Sequence, residues 1–165
     1  MTLRTDTRLQ VNGSPHSATT APVALDDTDR KILALLQADA RLTNAAIGER
    51  VGLSAPSVFE RVKKLERKGV IEGYTVRVNH AAIGQGLTAF VRLTTRYDER
   101  HDPGMAAIAA EPGVFETHTV AGEDCLLVKV KVSGTDELAA VLHRIKNLVT
   151  VERSITMIAL TTHKE

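Results

Sequence analysis

The stretch RLTNAAIGERVGLSAPSVFERVKKLERKG, from Arg41 to Gly69, decides how the first half of the chain is read. Thr43 can accept hydrogen bonds from the free N–H groups at the start of a helix, and Ile47 and Val51 follow at the spacing of one inward face. Gly52-Leu53 supplies a turn, because glycine tolerates the left-handed backbone that ends a helix. Ser54 predicts a second cap, with Pro56 acceptable in the first helical turn. Two short helices joined by a tight turn, the second with a cationic outer face, form the layout of a helix-turn-helix DNA reader.

Along that second helix each residue turns by about 100°. Val58, Val62 and Leu65 then share one stripe, which faces inward. Pro56, Ser57, Glu60, Lys63, Lys64 and Arg67 fall on the opposite arc, with Arg61 and Lys68 at its flank. From Ser54 to Gly69 five Lys/Arg oppose two Glu, so a chain of formal net charge +1 carries a focused cationic patch. Short Ser57 suits close approach to base edges, and the longer cations suit phosphates. A solvated helix can show the same arc. The caps, the glycine turn and the inward stripe arriving together favour DNA.

Upstream, Asp26, Asp27 and Asp29 place negative charge at the start of another helix, whose Ile32, Leu33, Leu35 and Leu36 follow helical periodicity. Residues 1–24, rich in Thr, Ser, Asn and Pro and without an apolar segment, read as a flexible tail rather than a secretion signal. Downstream, Val70 to Asn79 is β-branched and alternating, which predicts a strand, the edge of a wing.

After the linker His80 to Gly86 the pattern changes to alternation. Leu87 to Tyr97 predicts a strand with Ala89, Val91 and Leu93 on one face. A short helix follows, capped by Asp102 and ended by Pro112-Gly113. Val114 to Ala121 and Cys125 to Val132 form two more strands across the tight AGED link. A helix capped by Thr135 carries Leu138, Val141, Leu142, Ile145 and Leu148 on one stripe, and Val151 to Thr162 is a last strand. The order β-α-β-β-α-β is that of a ferredoxin-like split sandwich. Two helices cover one face of its sheet. The other, with Phe90 and Leu127, calls for a second subunit.

Hydrophobic residues are 43% and charged residues 25%, the balance of a globular chain, while aromatics at 3% leave the core to aliphatic side chains. Cys125 is the only cysteine, so no intrachain disulfide forms. It reads as a small hydrophobe opening a buried strand. No apolar run reaches the length of a membrane span, and a cytoplasmic location is expected. The six histidines lack metal-ligand spacing, and neither a phosphate loop nor a nucleophile elbow occurs, so no catalytic residue, metal or cofactor is expected. The Gly122-Glu123-Asp124 turn is different. Beside a plain hairpin role, its carboxylates could hold an ammonium group while nearby N–H groups take a carboxylate.

The runs LDDTDRKILALLQADAR, ERVGLSAPSVFERVKKLERKGVIEGY and TVAGEDCLLVKV resemble the leucine-responsive regulatory protein (Lrp)/AsnC family of transcription regulators, from Leu25 to about Thr162. The resemblance implies an α+β architecture. A winged helix-turn-helix over residues 25–73 and a strand or linker over 74–86 would precede a ferredoxin-like domain over 87–165 that dimerises through its sheet. It implies a nucleoid-associated regulator that binds double-stranded DNA as a dimer, tetramer or octamer, with a small amino acid as effector. Thr43, Asn44, Ser54, Ser57, Arg61, Lys63 and Lys64 become the candidate DNA contacts. Gly122, Glu123, Asp124 and Thr135 become the candidate effector contacts. Many family members place two residues between the glycine and the aspartate, whereas only Glu123 intervenes here. Two other readings compete with ligand-responsive regulation: an architectural DNA-compacting protein without a required ligand, and an enzyme like the sirohaem decarboxylases. The latter needs a haem-contacting histidine such as His101 or His118.

Overall fold

The computed structural model describes residues 22–164. The expected flexible tail therefore lies, for residues 1–21, outside the described residues. The chain divides into two compact units, one through Val76 and one from Arg77 onward.

The first unit contains α1 (Asp27–Ala38), α2 (Asn44–Val51) and α3 (Ala55–Arg67). Each begins on a side-chain cap that relieves an unpaired N–H. Asp26 accepts from the Asp29 N–H at 2.7 Å, Thr43 from Ala46 at 3.2 Å and Ser54 from Ser57 at 3.3 Å. Ile32, Ile47, Val58, Val62 and Leu65 form the buried centre, the inward stripes that helical periodicity selects. Gly52 takes the left-handed conformation, with φ at 72°, and turns the chain from α2 toward α3. Gly48 matters for another reason. A Cβ there would lie 2.3 Å from the Leu53 carbonyl oxygen, so the α2–α3 turn crosses directly over it.

Val70 to Asn79 does not form the expected strand. Its residues enter no ladder among the described residues, and Tyr74, Val76 and Val78 are exposed. Alternation fixes which side chains share a face. A strand also needs a neighbouring backbone to pair its N–H and C=O groups, and the sequence of the segment itself cannot supply one.

The second unit opens with a 3-10 turn at Ala81–Ile83 and continues β1 (Leu87–Thr95), α4 (His101–Ala109), β2 (Val114–Thr119), β3 (Leu126–Val132), α5 (Thr135–Leu148) and β4 (Val151–Ile158). The strands form one antiparallel sheet in the order β2-β3-β1-β4. Val91 lies opposite Val128 on one side and Thr156 on the other, which puts Ala89, Val91, Leu93, Leu126, Val128 and Val130 on a single face. Ile108 of α4 and Leu138, Val141 and Ile145 of α5 close over that face and complete the core. The opposite face bears Phe90, Leu127, Ile155 and Met157, the last two exposed.

Four details differ from expectation. α4 starts at His101 on Arg100, so Asp102 sits in its first turn and does not cap it. Gly134, not Thr135, is the N-cap of α5. There the Glu137 carboxylate reaches back past the cap residue to accept from the Ser133 N–H and hydroxyl, both at 2.7 Å, and no side chain caps the helix. β4 ends at Ile158, four residues early; the Ala159 N–H still donates to the Thr88 carbonyl at 2.9 Å, and the ladder goes no further. Cys125 precedes β3 and is only half-buried. Its Sγ accepts from the Thr95 N–H at 3.0 Å, where a bulge between Thr94 and Thr95 shifts the β1–β4 register.

Replacing a helical glycine by alanine usually stabilises a helix. At Gly48 the sign should invert. Gly48→Ala is expected to cost about 1–3 kcal/mol through overpacking against Leu53. Urea denaturation followed by circular dichroism checks this, and a raised midpoint would refute the close crossing.

Candidate functional site

Two regions carry the candidate residues, one in each unit. In the first, the cap of α3 brings Ser54 and Ser57 to its exposed start, their hydroxyl oxygens 2.8 Å apart. Thr43 is exposed at the start of α2, with Asn44 half-buried beside it. Lys63 and Lys64 are both exposed on the outward arc of α3. Lys63 pairs with Glu66 at 2.8 Å, which raises the lysine's pKa, and its Nζ stands 5.9 Å from the Phe59 ring centre. Lys64 makes no ion pair among the described residues. Phe59, absent from the sequence candidates, is exposed on the same helix.

Arg61 is placed differently. Its Nη1 donates to Asp26 Oδ2 and to Asp29 Oδ1, each at 2.7 Å. Asp29 is almost wholly buried. The guanidinium thus bridges α3 to the acidic start of α1, and two carboxylates already hold the charge that the sequence assigned to a phosphate. The Asp29 backbone N–H and then the Arg61 guanidinium hold the Asp26 carboxyl below its ordinary range. Asp26 and Asp29 in turn raise the arginine. The arc that remains outward is Ser54, Ser57, Lys63 and Lys64, short hydroxyls first and long cations after.

In the second unit, β1 carries Arg92 and Thr94 on the face opposite the core, and β4 carries Arg153 beside Thr94 in register. All three converge on Asp124, which is buried at the β2–β3 turn. Arg92 donates to Asp124 Oδ2 through Nε at 2.7 Å and also through Nη2. Thr94 Oγ1 lies 3.4 Å from Asp124 Oδ1, and Arg153 Nη2 lies 3.3 Å from the same oxygen. Arg92 first, with Arg153 and Thr94 assisting, holds this carboxyl below its usual range. Glu123 points outward and meets Arg153 only at 3.5 Å. Gly122 leaves open space beside the chain at the head of the turn.

Thr135 does not join this corner. It follows β3, whereas the turn precedes it, and a seven-residue strand separates its ends by roughly 20 Å. Within one chain the four effector candidates are therefore three, and the structure adds Arg92, Thr94 and Arg153. A lone arginine in the apolar run LTAFVRL was the available signal, since alternation places it opposite Val91 and Leu93. The candidate histidines have ordinary neighbours. His101 Nδ1 lies 3.0 Å from Asp102 with its ring against Tyr97, and His118 is exposed beside Glu116.

Comparison with known proteins matches residues 25–72 to the family described as winged helix-turn-helix DNA-binding. Residues 88–165 match the Lrp/AsnC ligand binding domain. The transcriptional regulator LrpA of Mycobacterium tuberculosis is 35% identical over 142 residues, covering 86% of this chain and 95% of that protein. An HTH-type regulator of Pyrococcus horikoshii is 35% identical over 151 residues, covering 87% and 98%. Among solved structures, a transcriptional regulator of Neisseria meningitidis in complex with L-Met has a TM-score of 0.80 at 29% identity, covering 86% of this chain and 94% of that one. An AsnC family regulator of Agrobacterium tumefaciens gives 0.81 at 26%, with the same coverage.

The Arg61 bridge has a testable pH signature. Because folding lowers the Asp26 pKa, the stabilisation is present above the ordinary carboxylate value of about 4 and is lost as pH falls through the folded value. Arg61→Ala should lower the urea midpoint at neutral pH and reduce the difference between neutral pH and about pH 3. An unchanged midpoint at neutral pH would contradict a structural bridge.

Proposed function

The chain belongs to the Lrp/AsnC family of transcriptional regulators, and from that premise we propose how its two units divide the work. It is a DNA-binding transcription regulator, and its relatives are regulators rather than enzymes. In our reading the outward arc of α3 meets double-stranded DNA. Ser54 and Ser57 approach base edges, Lys63 and Lys64 take phosphates, and Thr43 and Asn44 at the start of α2 contact the flanking backbone. The observation that carries this is the arc itself, which presents hydroxyls and cations while Val58, Val62 and Leu65 bury the other side. Arg61 holds α3 against α1 and sets the angle of the helix, so its contribution to DNA binding is indirect.

The second unit receives a small amino acid at the Gly122–Asp124 turn. A bound L-Met in the Neisseria meningitidis relative supports an effector of this class. A second copy of the chain covers the sheet face that bears Phe90, Leu127, Ile155 and Met157, because an apolar face of this kind is costly to leave in water. Paired copies also suit two DNA half-sites related by two-fold symmetry.

Fluorescence anisotropy with a duplex from the protein's own upstream region, against random duplex, tests the DNA arm. The wild type should prefer its own duplex, and Lys64→Ala should flatten the slope of log affinity against log salt by about 0.9. Equal affinity for random DNA would favour an architectural role. An unaltered slope would remove Lys64 from the interface.

A further inference from the structure

α3 carries one side chain that neither its buried stripe nor its polar arc explains. Phe59 is 46% exposed, the one large apolar side chain left in water among the described residues of the three helices of the first unit. It lies outside the core that Val58, Val62 and Leu65 close. At about 100° per residue it stands a quarter-turn from Val58, on the side that Lys63 shares one turn later. The Lys63 ammonium does not cover the ring. Its Nζ is 5.9 Å from the ring centre, Glu66 holds it at 2.8 Å, and the Tyr74 hydroxyl donates to Glu66 at 3.0 Å. A single exposed apolar residue is ordinary on most surfaces, so its neighbours decide what this one does.

We propose that Phe59 reads thymine, packing its ring against the 5-methyl groups that A·T pairs display in the major groove. This rests on reading the outward arc of α3 as the DNA-facing surface, and it adds the residue that sets a base preference there. Position is the first argument. Phe59 is the fifth residue of α3, within the N-terminal part of a reading helix that meets base edges. The Ser54 and Ser57 hydroxyls precede it and Lys63 follows it, so the ring stands between groups suited to base edges and a cation suited to phosphate. Chemistry is the second. Phosphates offer only acceptors, and the base-edge groups that distinguish the pairs in the major groove are polar donors and acceptors, apart from the thymine methyl. An aromatic ring on that surface therefore has one apolar partner, and any other choice strips water from a donor or acceptor without replacing its hydrogen bond. Each methyl brought out of water against the ring should strengthen binding about fourfold.

The test uses the full-length chain, fluorescence anisotropy and a duplex from the protein's own upstream region, alongside the same duplex with deoxyuridine at every thymine. That exchange removes the methyl groups and keeps the base pairing. The wild type should bind the thymine duplex at least about fourfold more tightly. Phe59→Ala should lose affinity for the thymine duplex and bind the two duplexes alike. Phe59→Leu should keep part of the preference, since leucine restores an apolar contact. Lys64→Ala should weaken both duplexes by the same factor, because phosphates are common to both. An exposed site tolerates these substitutions, so the urea midpoints of the Phe59 variants should match the wild type. Tight wild-type binding to both duplexes without a thymine preference would overturn the assignment and leave α3 as the DNA-facing helix. A Phe59→Ala variant that keeps the wild-type preference, or that weakens both duplexes in parallel as a ring packed against protein would, also overturns it. If the wild type binds neither duplex, the reading of α3 as the DNA-facing helix fails and the role of Phe59 fails with it.

Discussion

β1 can bury only every second side chain, and the arrangement of the ligand-binding unit follows from that constraint. With β3 on one side and β4 on the other, Ala89, Val91 and Leu93 are committed to the core under α4 and α5. Phe90, Arg92 and Thr94 must then stand on the opposite face. A shift of one residue in register would put a guanidinium into an aliphatic core and expose Val91, which costs both desolvation of a charge and lost burial. The core thus fixes Arg92 on the side where the β2–β3 turn brings Asp124. The corner is a consequence of packing before it is a site.

The same logic with a different period governs the DNA-reading unit. Val58, Val62 and Leu65 share one stripe of α3, so the hydroxyls and lysines are directed outward. Burying the stripe fixes the rotation of α3. Arg61, joined to the first turn of α1 by two carboxylates, adds a polar tie between the two helices. It uses the acidic N-terminus that also stabilises α1 through its dipole. One cation on the flank of the helix therefore serves geometry, and the cations on the arc remain available to a polyanion.

What the sequence disclosed and what it withheld divide along physical lines. Local chemistry was legible. The Thr43 and Ser54 caps, the Gly52 turn and the inward stripes depend on residues within a turn or two of one another. The order βαββαβ was legible because each element has its own period. Contacts made across the chain were not. Nothing near Arg61 shows that Asp26 and Asp29, more than thirty residues upstream, receive it. The bonds of Asp124 to Arg92 and Arg153 are equally remote. Val70 to Asn79 has the composition of a strand, yet pairing is a property of two segments. At α5 the helix begins at Thr135 itself, with Gly134 as its cap residue and Glu137 turned back onto Ser133, a start that Thr135 alone did not disclose.

The central claim is that one molecule couples an amino acid to DNA. Coupling between binding sites is reciprocal: if the amino acid changes DNA affinity by some factor, DNA must change amino-acid affinity by the same factor. The direct measurement is a pair of titrations on the full-length chain, DNA affinity with and without saturating amino acid and amino-acid affinity with and without saturating DNA. The account predicts two equal factors that differ from one, each of about fivefold or more. Factors of one in both directions would show that the two units bind their ligands independently and would contradict the account.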